Sequence, residues 1–421
     1  MKKNWVVVPV AATVLLAGNE LWAASVVRTR HPAGQGKDDV AQVVSAGKLV
    51  FPSGAMGTSG DTVQQVDQVV EEMHRKLASV GLGIGNMIQH TIYIKDGAVQ
   101  PMQVLGRFHA TARKLAPSLV DKPSVGTILR LPSFPDPGTL VALDVVAANP
   151  GQGQPDTFTR HKFKAGPQEI AETITVDDFV FTAGLEAMDF VNRVAPPLDL
   201  DKQVAIIVGK IQNALETNGL SIANMVSHNL YVTKGTSAGR VIEKFHEAAR
   251  GLAPGLAKQP SVGTLAVVDG MAAPSFLMEF DVIAAHPKTK GQPDGFRRFA
   301  FTPPIDIAES VEVNDVVFLA GLEGFEKDGS ISPDGARQAE VAAKKIDDTL
   351  KKSGLSIANL VKHKIYVKQG QDVKAVTAAF HKAAQRLAPA RAQNPSAETV
   401  IVVEGLAVDS MLVEVSAIAA H

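Results

Sequence analysis

The sequence predicts an α+β fold repeated as three tandem domains in one chain. One phrase recurs three times with little change, as GIGNMIQHTIYI from Gly83, SIANMVSHNLYV from Ser221 and SIANLVKHKIYV from Ser356. An FH pair and then a PS pair follow each phrase at matching intervals. The repeating unit is far longer than the units that stack into solenoids, so each copy is expected to be a domain.

The first half of the unit predicts a hairpin, a helix and a third strand. In the first copy, AQVVSAGKLVFPSG contains two short β-rich runs around Ala46-Gly47, which is typical of a hairpin. A helix is expected from about Thr62, because apolar residues then recur at helical spacing, and Gly81 is suited to end it. The alternation in MIQHTIYIKD predicts the third strand.

The second half of the unit completes a sheet with one bare face. VLGRFHATARKLAP predicts a helix that stops at Pro117, and SVGTILRL and LVALDVVAA predict two last strands. This order favours a mixed sheet with both helices on one face. Because an exposed apolar sheet face needs a partner, three copies in one chain are expected to cover one another. We therefore predict a monomer with internal pseudo-threefold symmetry.

The expected spans are 1–24 for a leader and 25–150, 151–287 and 288–421 for the three repeats. The junctions between repeats read NPGQGQPDTF and HPKTKGQPDGF, which are rich in glycine, proline and polar residues. Ten such residues reach about 30 Å when extended, enough to cross one domain. The linkers therefore allow the repeats to pack as an intramolecular trimer.

The first residues resemble a secretory signal peptide. A dilysine start precedes the apolar run WVVVPVAATVLLAG, and the small residues Ala23 and Ala24 suit a cleavage site. The apolar run is short for a membrane span, and an uncleaved N-terminal anchor is the alternative. We expect an exported protein, periplasmic or secreted, with no membrane attachment once the signal is removed.

Composition and missing motifs narrow the function. The net charge is −1 and aromatic residues make up 5%, without a basic stripe, so nucleic-acid binding is not expected. There is no cysteine, which excludes disulfides and thiolate metal sites. The glycine-rich GLGIG lies between a helix and a strand, the reverse of the order in a phosphate-binding loop. No metal or other cofactor is expected, and the expected partner is a small molecule.

Several motifs resemble the RidA/YjgF family. They are LVFPSG before a helix, the phrase GLGIGNMIQHTIYIKD and the closing strand VALDVVA, and the resemblance covers each repeat nearly end to end. Members of that family are typically homotrimers of a chorismate-mutase-like subunit, with ligand clefts between neighbours. The best-known members hydrolyse reactive enamines and imines. The resemblance implies that three repeats build such a trimer from one chain.

The arginine of active family members is missing. It stands directly before the serine of the PS pair and holds the substrate carboxylate, for which a planar guanidinium is well suited. In this chain the position is proline in all three repeats, at Pro123, Pro260 and Pro395. The resemblance therefore implies the family fold with an altered site.

Two glutamates are the catalytic candidates. The family's last strand carries a glutamate that helps to handle the attacking water. Glu279 and Glu414 match it in the second and third repeats, whereas the first repeat has Ala142.

The ligand-binding candidates follow the family's SG pair after the second strand. It survives as Ser53-Gly54, and its glycine recurs as Gly184 and Gly321. Lys122 joins them as the cation beside a vacated arginine position, with an ordinary exposed lysine as the alternative. We expect one cleft to combine Ser53-Gly54 with a glutamate of another repeat.

The recurring histidines are expected to be structural. His90, His228 and His363 share a strand face with aliphatic residues, so we expect buried side chains hydrogen-bonded to backbone rather than metal ligands. The histidine of each FH pair is expected to be structural too. The chain's three tyrosines lie on the opposite strand face, which is expected to point between the repeats.

Three functions remain open at this point. The first is an exported protein that binds a small carbonyl or carboxylate metabolite in clefts between repeats. The second is an enamine or imine deaminase, a hydrolase that uses a substitute for the missing arginine. The third is a non-catalytic scaffold. The divergence among the repeats favours the first, since a scaffold has no reason to keep a serine in one copy and glutamates in two.

Overall fold

The computed structural model describes residues 26–30, 39–151, 154, 156–287, 295–302 and 305–421. The leader expected at 1–24 lies outside these residues. The described residues form three units, each with one mixed sheet and two α-helices, which confirms the α+β fold. Within them, no helix combines the length and the hydrophobicity that crossing a bilayer requires.

The first unit contains seven strands and two α-helices. The strands are β1 Val26–Arg30, β2 Ala41–Ala46, β3 Leu49–Pro52, β4 Ala55–Met56, β5 Met87–Lys95, β6 Val125–Leu131 and β7 Val141–Ala148. The helices are α1 Thr62–Ala78 and α2 Pro101–Leu115. Helix α1 begins with a capping box between Asp61 and Gln64, which satisfies two backbone N–H groups of its first turn.

The second and third units repeat this order. In the second unit the elements are β8 Thr159–Lys162, β9 Ala171–Val176, β10 Phe179–Thr182, α3 Leu200–Glu216, β11 Met225–Thr233, α4 Ala238–Leu252, β12 Val262–Val268 and β13 Met278–Ala285. In the third they are β14 Arg297–Ala300, β15 Ala308–Val313, β16 Val316–Glu323, α5 Gly335–Lys351, β17 Leu360–Lys368, α6 Val373–Leu387, β18 Ala397–Val403 and β19 Val413–Ala420.

The three sheets share one topology. The first runs β1-β2-β3-β7-β5-β6, with the short β4 on β7, and the other two follow the same order. The strand that contains the recurring phrase, here called the phrase strand, is β5, β11 or β17, and the strand that follows the PS pair, here called the PS strand, is β6, β12 or β18. In each unit the phrase strand pairs in parallel with the PS strand and antiparallel with the last strand. The edge strands β1, β8 and β14 were not predicted, because short polar stretches such as TRHK carry no alternating pattern.

The units close into a ring through one repeated backbone hydrogen bond. Ala41 N donates to Ser396 O at 3.0 Å, and the same bond runs from Ala171 N to Ser124 O and from Ala308 N to Ser261 O, both at 2.9 Å. Each acceptor is the serine of a PS pair, and each donor begins the second strand of the neighbouring unit. The three junctions are therefore equivalent, as a pseudo-threefold arrangement requires.

The bare sheet faces meet around the centre of the ring. Tyr93, Tyr231 and Tyr366 are at most 1% exposed and belong to one apolar cluster with residues of all three units. This confirms that the tyrosine face points between the repeats. Burial of these large rings stabilises the assembly, since each removes a large apolar surface from water.

The recurring histidines pack in the same way in each unit. His90 Nδ1 lies 2.9 Å from Ser124 Oγ, and the matching distances for His228 and His363 are 3.0 and 2.7 Å. The ring of His90 stacks on Phe108 at 4.7 Å. The recurring partner is a serine hydroxyl, and His90 also makes the predicted kind of backbone hydrogen bond, with Val125. The phrase histidine, the FH pair and the PS serine form one cluster, which explains why they recur together.

Candidate functional site

Three clefts lie between the units, where the PS strand of one unit meets the second strand of the next. The first cleft lies between the first and second units, where Gly184 N donates to Gly126 O at 3.1 Å. The second cleft lies between the second and third units, where Leu265 N donates to Glu414 Oε1 at 3.4 Å. The third cleft closes the ring between the third and first units.

Glu279 is buried in the first cleft, at 4% exposure. It packs so closely on Gly184 that a Cβ atom there would lie 1.7 Å from Glu279 Oε1, so only glycine fits. Burial raises the pKa of Glu279 well above its ordinary value, and the nearby carboxyls of Glu186 and Asp281 raise it further. These effects favour the neutral acid form of Glu279, which can donate a hydrogen bond or a proton.

A cavity of about 770 Å³ opens beside Glu279. Helix α2 of the first unit supplies Met102 and Leu105, and the second unit supplies most of the other walls. The apolar lining of the second unit includes Phe163, Met188, Phe190, Val191 and Phe276. A large apolar cavity with a few convergent polar groups is the usual form of a small-molecule site.

The second cleft holds Glu414 in the same position. Glu414 is 4% exposed, and a Cβ atom on Gly321 would lie 1.8 Å from its Oε1. Burial raises the pKa of Glu414 to about 8, with a further contribution from the carboxyl of Glu323. Both catalytic candidates are thus buried acids placed against a ligand-candidate glycine of their own unit.

The third cleft holds Ser53 and Gly54. Ser53 Oγ donates to Ala41 O at 2.7 Å and accepts from Glu398 N at 2.8 Å. Gly54 N donates to Glu398 O at 2.9 Å. These contacts join the first and third units, so the serine hydroxyl is occupied in holding the junction together. The cavity in the third cleft measures about 380 Å³. In the first unit, which supplies Ser53 and Gly54, the position that matches Glu279 and Glu414 is Ala142.

The structure does not bring Ser53-Gly54 together with Glu279 or Glu414. The strand that leads to the SG position and the last strand are sheet neighbours within one unit, as the pairing of Glu323 on β16 with Glu414 on β19 shows. Each cleft therefore takes its SG position and its glutamate position from the same unit. A cleft that combines the serine of one repeat with the glutamate of another cannot form in this topology.

Lys122 contacts the linker after its own unit. Its Nζ donates to Asp156 O at 3.0 Å and lies 4.0 Å from Asp156 Oδ2. The side chain is 42% exposed. The Lys122 ammonium group therefore contacts Asp156 in the linker that leads into the second unit.

An arginine that sequence reasoning missed recurs on the first strand of each unit. Arg28, Arg160 and Arg298 occupy the same register, opposite Val44, Ile174 and Val311. Arg28 Nε donates to Pro395 O at 3.2 Å, the carbonyl of the PS proline of the third unit. The signal was available as an arginine at matching positions of three short segments, but those segments were not recognised as strands.

A charged cavity of about 100 Å³ lies on the axis of the ring. Asp144 of the first unit lies 2.7 Å from Lys362 Nζ and 2.9 Å from Lys364 Nζ of the third. Burial favours the neutral acid, but the two ammonium groups outweigh it and hold the pKa of Asp144 well below its usual range. At the equivalent Asp281 burial raises the pKa to about 6, because the more distant charge of Lys364 only partly offsets it.

A carboxylate in the third unit contacts both recurring histidines. Glu398 Oε2 lies 3.0 Å from His363 Nε2 and 2.8 Å from His381 Nε2. Burial favours the neutral acid, but these two hydrogen bonds outweigh it and keep the pKa of Glu398 well below its ordinary value. Burial lowers the pKa of His363 to about 4, so this ring is neutral at pH 7. Glu398 also lines the third cleft.

Comparison with known proteins relates the third unit to a known family. The model of the Endoribonuclease L-PSP family matches residues 304–421. The third unit is therefore similar to that family. The first and second units repeat its elements and its recurring residues, so the chain is a tandem array of three RidA-like units.

One solved structure supports the fold, and two others are similar over a shorter part of the chain. A chorismatase aligns with a TM-score of 0.50 at 13% identity, over 80% of this chain and 93% of its own. A YjgF/YER057c/UK114 family member from Mycobacterium tuberculosis is 21% identical over 30% of this chain and all of its own, with a TM-score of 0.25. The YjgF gene product of E. coli is 22% identical over 30% of this chain and 93% of its own, with a TM-score of 0.25. A search of curated protein sequences gave no significant match.

Proposed function

We propose that this chain is an exported RidA-like protein that binds a small carbonyl or carboxylate metabolite in the first cleft. The observation that carries the proposal is the cavity of about 770 Å³ beside the buried acid Glu279. The dilysine start and apolar run of the first residues support export. The name of the chorismatase with this fold denotes an enzyme that acts on a small molecule.

The chemistry of the first cleft favours an uncharged carbonyl group at its inner end. Burial raises the pKa of Glu279 and favours its protonated form, whose hydroxyl can donate to a carbonyl or imine acceptor. Glu169 and Glu186 add acidic groups to the lining, which disfavours an anion at that depth. The cation in the lining is the exposed Arg193, which suits a carboxylate at the outer end of the ligand. The apolar walls accept the rest of an aliphatic or aromatic body.

A thermal-shift screen tests this proposal with matched variants. The probes are aliphatic and aromatic 2-oxo acids and their methyl esters. Leu105→Trp fills the first cavity, and Ile242→Trp places the same bulk at the matching position of α4, away from that cavity. A ligand at about one hundred times its Kd should stabilise the native state by about 2.7 kcal/mol.

The expected pattern is a raised melting temperature for the wild type and for Ile242→Trp, with no shift for Leu105→Trp. Equal shifts in all three proteins would place the ligand elsewhere. No shift with any probe would count against the carbonyl or carboxylate class.

A hydrolytic step is the second candidate function. The observation in its favour is that Glu279 and Glu414 are both buried acids held against a glycine of a cleft. A protonated carboxyl can protonate an enamine carbon or assist water at an imine. The missing arginine argues for low efficiency toward carboxylate-bearing substrates.

A further inference from the structure

The phrase histidine and the FH histidine meet in every unit, but a carboxylate joins them in only one described unit. The ring centroids of the pair lie 6.3 Å apart for His90 and His109, and 5.9 Å apart for His363 and His381. The residue two positions after the PS serine is Gly126 in the first unit and Gly263 in the second, whereas the third has Glu398. One chain therefore contains two histidine pairs with a glycine at this position and one with a glutamate that contacts both rings.

We propose that His363, His381 and Glu398 form a binding site for a single divalent transition-metal ion such as Zn²⁺. One donor atom from each residue can be chosen so that all three lie within 4.8 Å of one another. Two imidazole nitrogens and a carboxylate oxygen are a usual protein ligand set for zinc, with bonds of about 2.0–2.2 Å. In a tetrahedral site with such bonds, neighbouring donor atoms lie about 3.3 Å apart. The present Nε2-to-Oε2 distances of 2.8 and 3.0 Å need only small adjustments to reach that value.

The groups around the ligands are suited to hold them. Ser396 Oγ lies 2.7 Å from His363 Nδ1 and accepts a hydrogen bond from Arg391 Nη2 at 2.6 Å. When His363 Nε2 binds a metal, its proton resides on Nδ1 and is donated to Ser396 Oγ, whose second lone pair is free for Arg391. The ring is also fixed by stacking on Phe380, with centroids 5.1 Å apart.

The site has an open side. Glu398 lines the third cleft together with Ser53 and Gly54. The side chains of His381 and Glu398 are 11% and 14% exposed, whereas His363 is fully buried. A fourth coordination position directed into the cleft would hold water or a ligand atom, which is the arrangement of catalytic rather than structural zinc sites.

The test measures metal bound by the tag-free full-length chain. The protein is stripped with EDTA, dialysed and titrated with Zn²⁺ by calorimetry, and Co²⁺ is used to record the visible spectrum of the bound ion. His381→Asn and Glu398→Gln remove ligands from the proposed site. His246→Asn makes the same change in the second unit, where Gly263 stands in the place of Glu398, and is the matched control.

The proposal predicts one tight equivalent per chain in the wild type and in His246→Asn. His381→Asn and Glu398→Gln should bind that equivalent at least about a hundredfold more weakly, since each removes one of three ligands. Circular dichroism and gel filtration show whether each variant is folded, and two ligand variants keep the test available if one is not. Wild-type binding no tighter than that of folded His381→Asn, or an equal loss in His246→Asn, would overturn the proposal.

Discussion

The first and third clefts are built on one framework but carry different chemistry. Each is bordered by a phrase histidine that contacts a PS serine and stacks on a phenylalanine. In the first cleft the neighbouring position is Gly126, and His109 Nε2 is buried with no hydrogen-bond partner among the described residues. In the third cleft the position is Glu398, which contacts His381 Nε2 at 2.8 Å.

The acidic side chains of the two clefts also lie on different strands. The first cleft has Glu279 on the last strand, beside a cavity of about 770 Å³. The third cleft has Ala142 at that position, a smaller cavity of about 380 Å³ and its carboxylate on the PS strand. A ring of three identical chains has three identical clefts. A ring made by one chain allows each cleft to change by itself, and these two have done so.

The largest expected effect concerns the axial charges, where the first and second units differ. Asp144→Asn keeps the shape but removes the carboxylate that pairs directly with the buried Lys362 and Lys364. It should lower the free energy of unfolding by about 3–5 kcal/mol. Asp281→Asn is the matched control, because that carboxyl accepts a hydrogen bond from Asn229 rather than pairing directly with an ammonium group. It should cost less than about 1 kcal/mol.

Urea unfolding of both variants measures the difference. Similar losses for Asp144→Asn and Asp281→Asn would contradict the view that the axial charges have diverged.

The effect of the prolines can be measured by comparing the deaminase activity of this protein with that of an arginine-bearing relative. A charge-assisted bidentate contact contributes about 1.5–3 kcal/mol, so its loss at Pro123, Pro260 and Pro395 predicts about a ten- to hundredfold lower efficiency. The assay generates 2-aminoacrylate with a serine dehydratase and follows the disappearance of the free imine. A rate equal to that of an arginine-bearing relative at the same concentration would show that the prolines do not impair the site.

The shared framework is tested by removing a phrase histidine. His228→Ala should lower the free energy of unfolding by about 1–3 kcal/mol, because Ser261 Oγ loses its partner and Phe245 loses a packed ring. Binding in the first cleft should be unchanged. Chemical denaturation measures the first effect and the thermal-shift screen the second. Loss of ligand binding in a folded variant would assign this histidine more than a structural role.

The second and third units also differ in pH dependence from the first, because only they carry a buried glutamate on the last strand, and Glu414 tests this. Its pKa is about 8 in the folded chain, above the ordinary value of a glutamate. Between these two values the native state binds more protons than the unfolded state, so stability falls as pH rises, by at most about 1.4 kcal/mol per pH unit. Glu414→Gln should remove this slope between about pH 5 and 8. Unfolding curves across that range check it, and an unchanged slope would contradict the assigned burial.

The phrase histidines act in the opposite direction. Burial lowers the pKa of His90 and His228 to about 3, so both are neutral in the native state and gain a proton on unfolding in acid. Stability is therefore lost as pH falls below the ordinary histidine value of about 6.5. Glu414→Gln should leave this acid limb in place, which separates the two effects within one set of curves.

The repeated framework could be predicted from the sequence because each of its motifs occurs in all three repeats. The hairpin around Gly47, the helix from Thr62 and the tyrosine face depend on local spacing, and the structure has all three. The role of the positions that differ between repeats was harder to predict, because a residue that occurs in only one copy is not part of any recurring pattern. Glu398 was visible only as a glutamate where the other copies have glycine, and its histidine partners are distant in sequence.

The expected union of Ser53-Gly54 with Glu279 or Glu414 failed for a topological reason. Motif matching gives which positions belong to a site, but not which unit supplies each one. The strand that leads to the SG position pairs with the last strand, which carries the glutamate position, so both positions belong to one unit. Only the sheet order reveals this.

Light scattering tests most directly the claim that one chain completes the ring and so frees its clefts to differ. The purified protein, with its leader present or removed, should have the mass of a single chain, because the backbone bonds at Ala41, Ala171 and Ala308 close all three junctions internally. The mass should stay constant on dilution. A stable assembly of three chains would contradict the account, since its junctions would then be shared between chains.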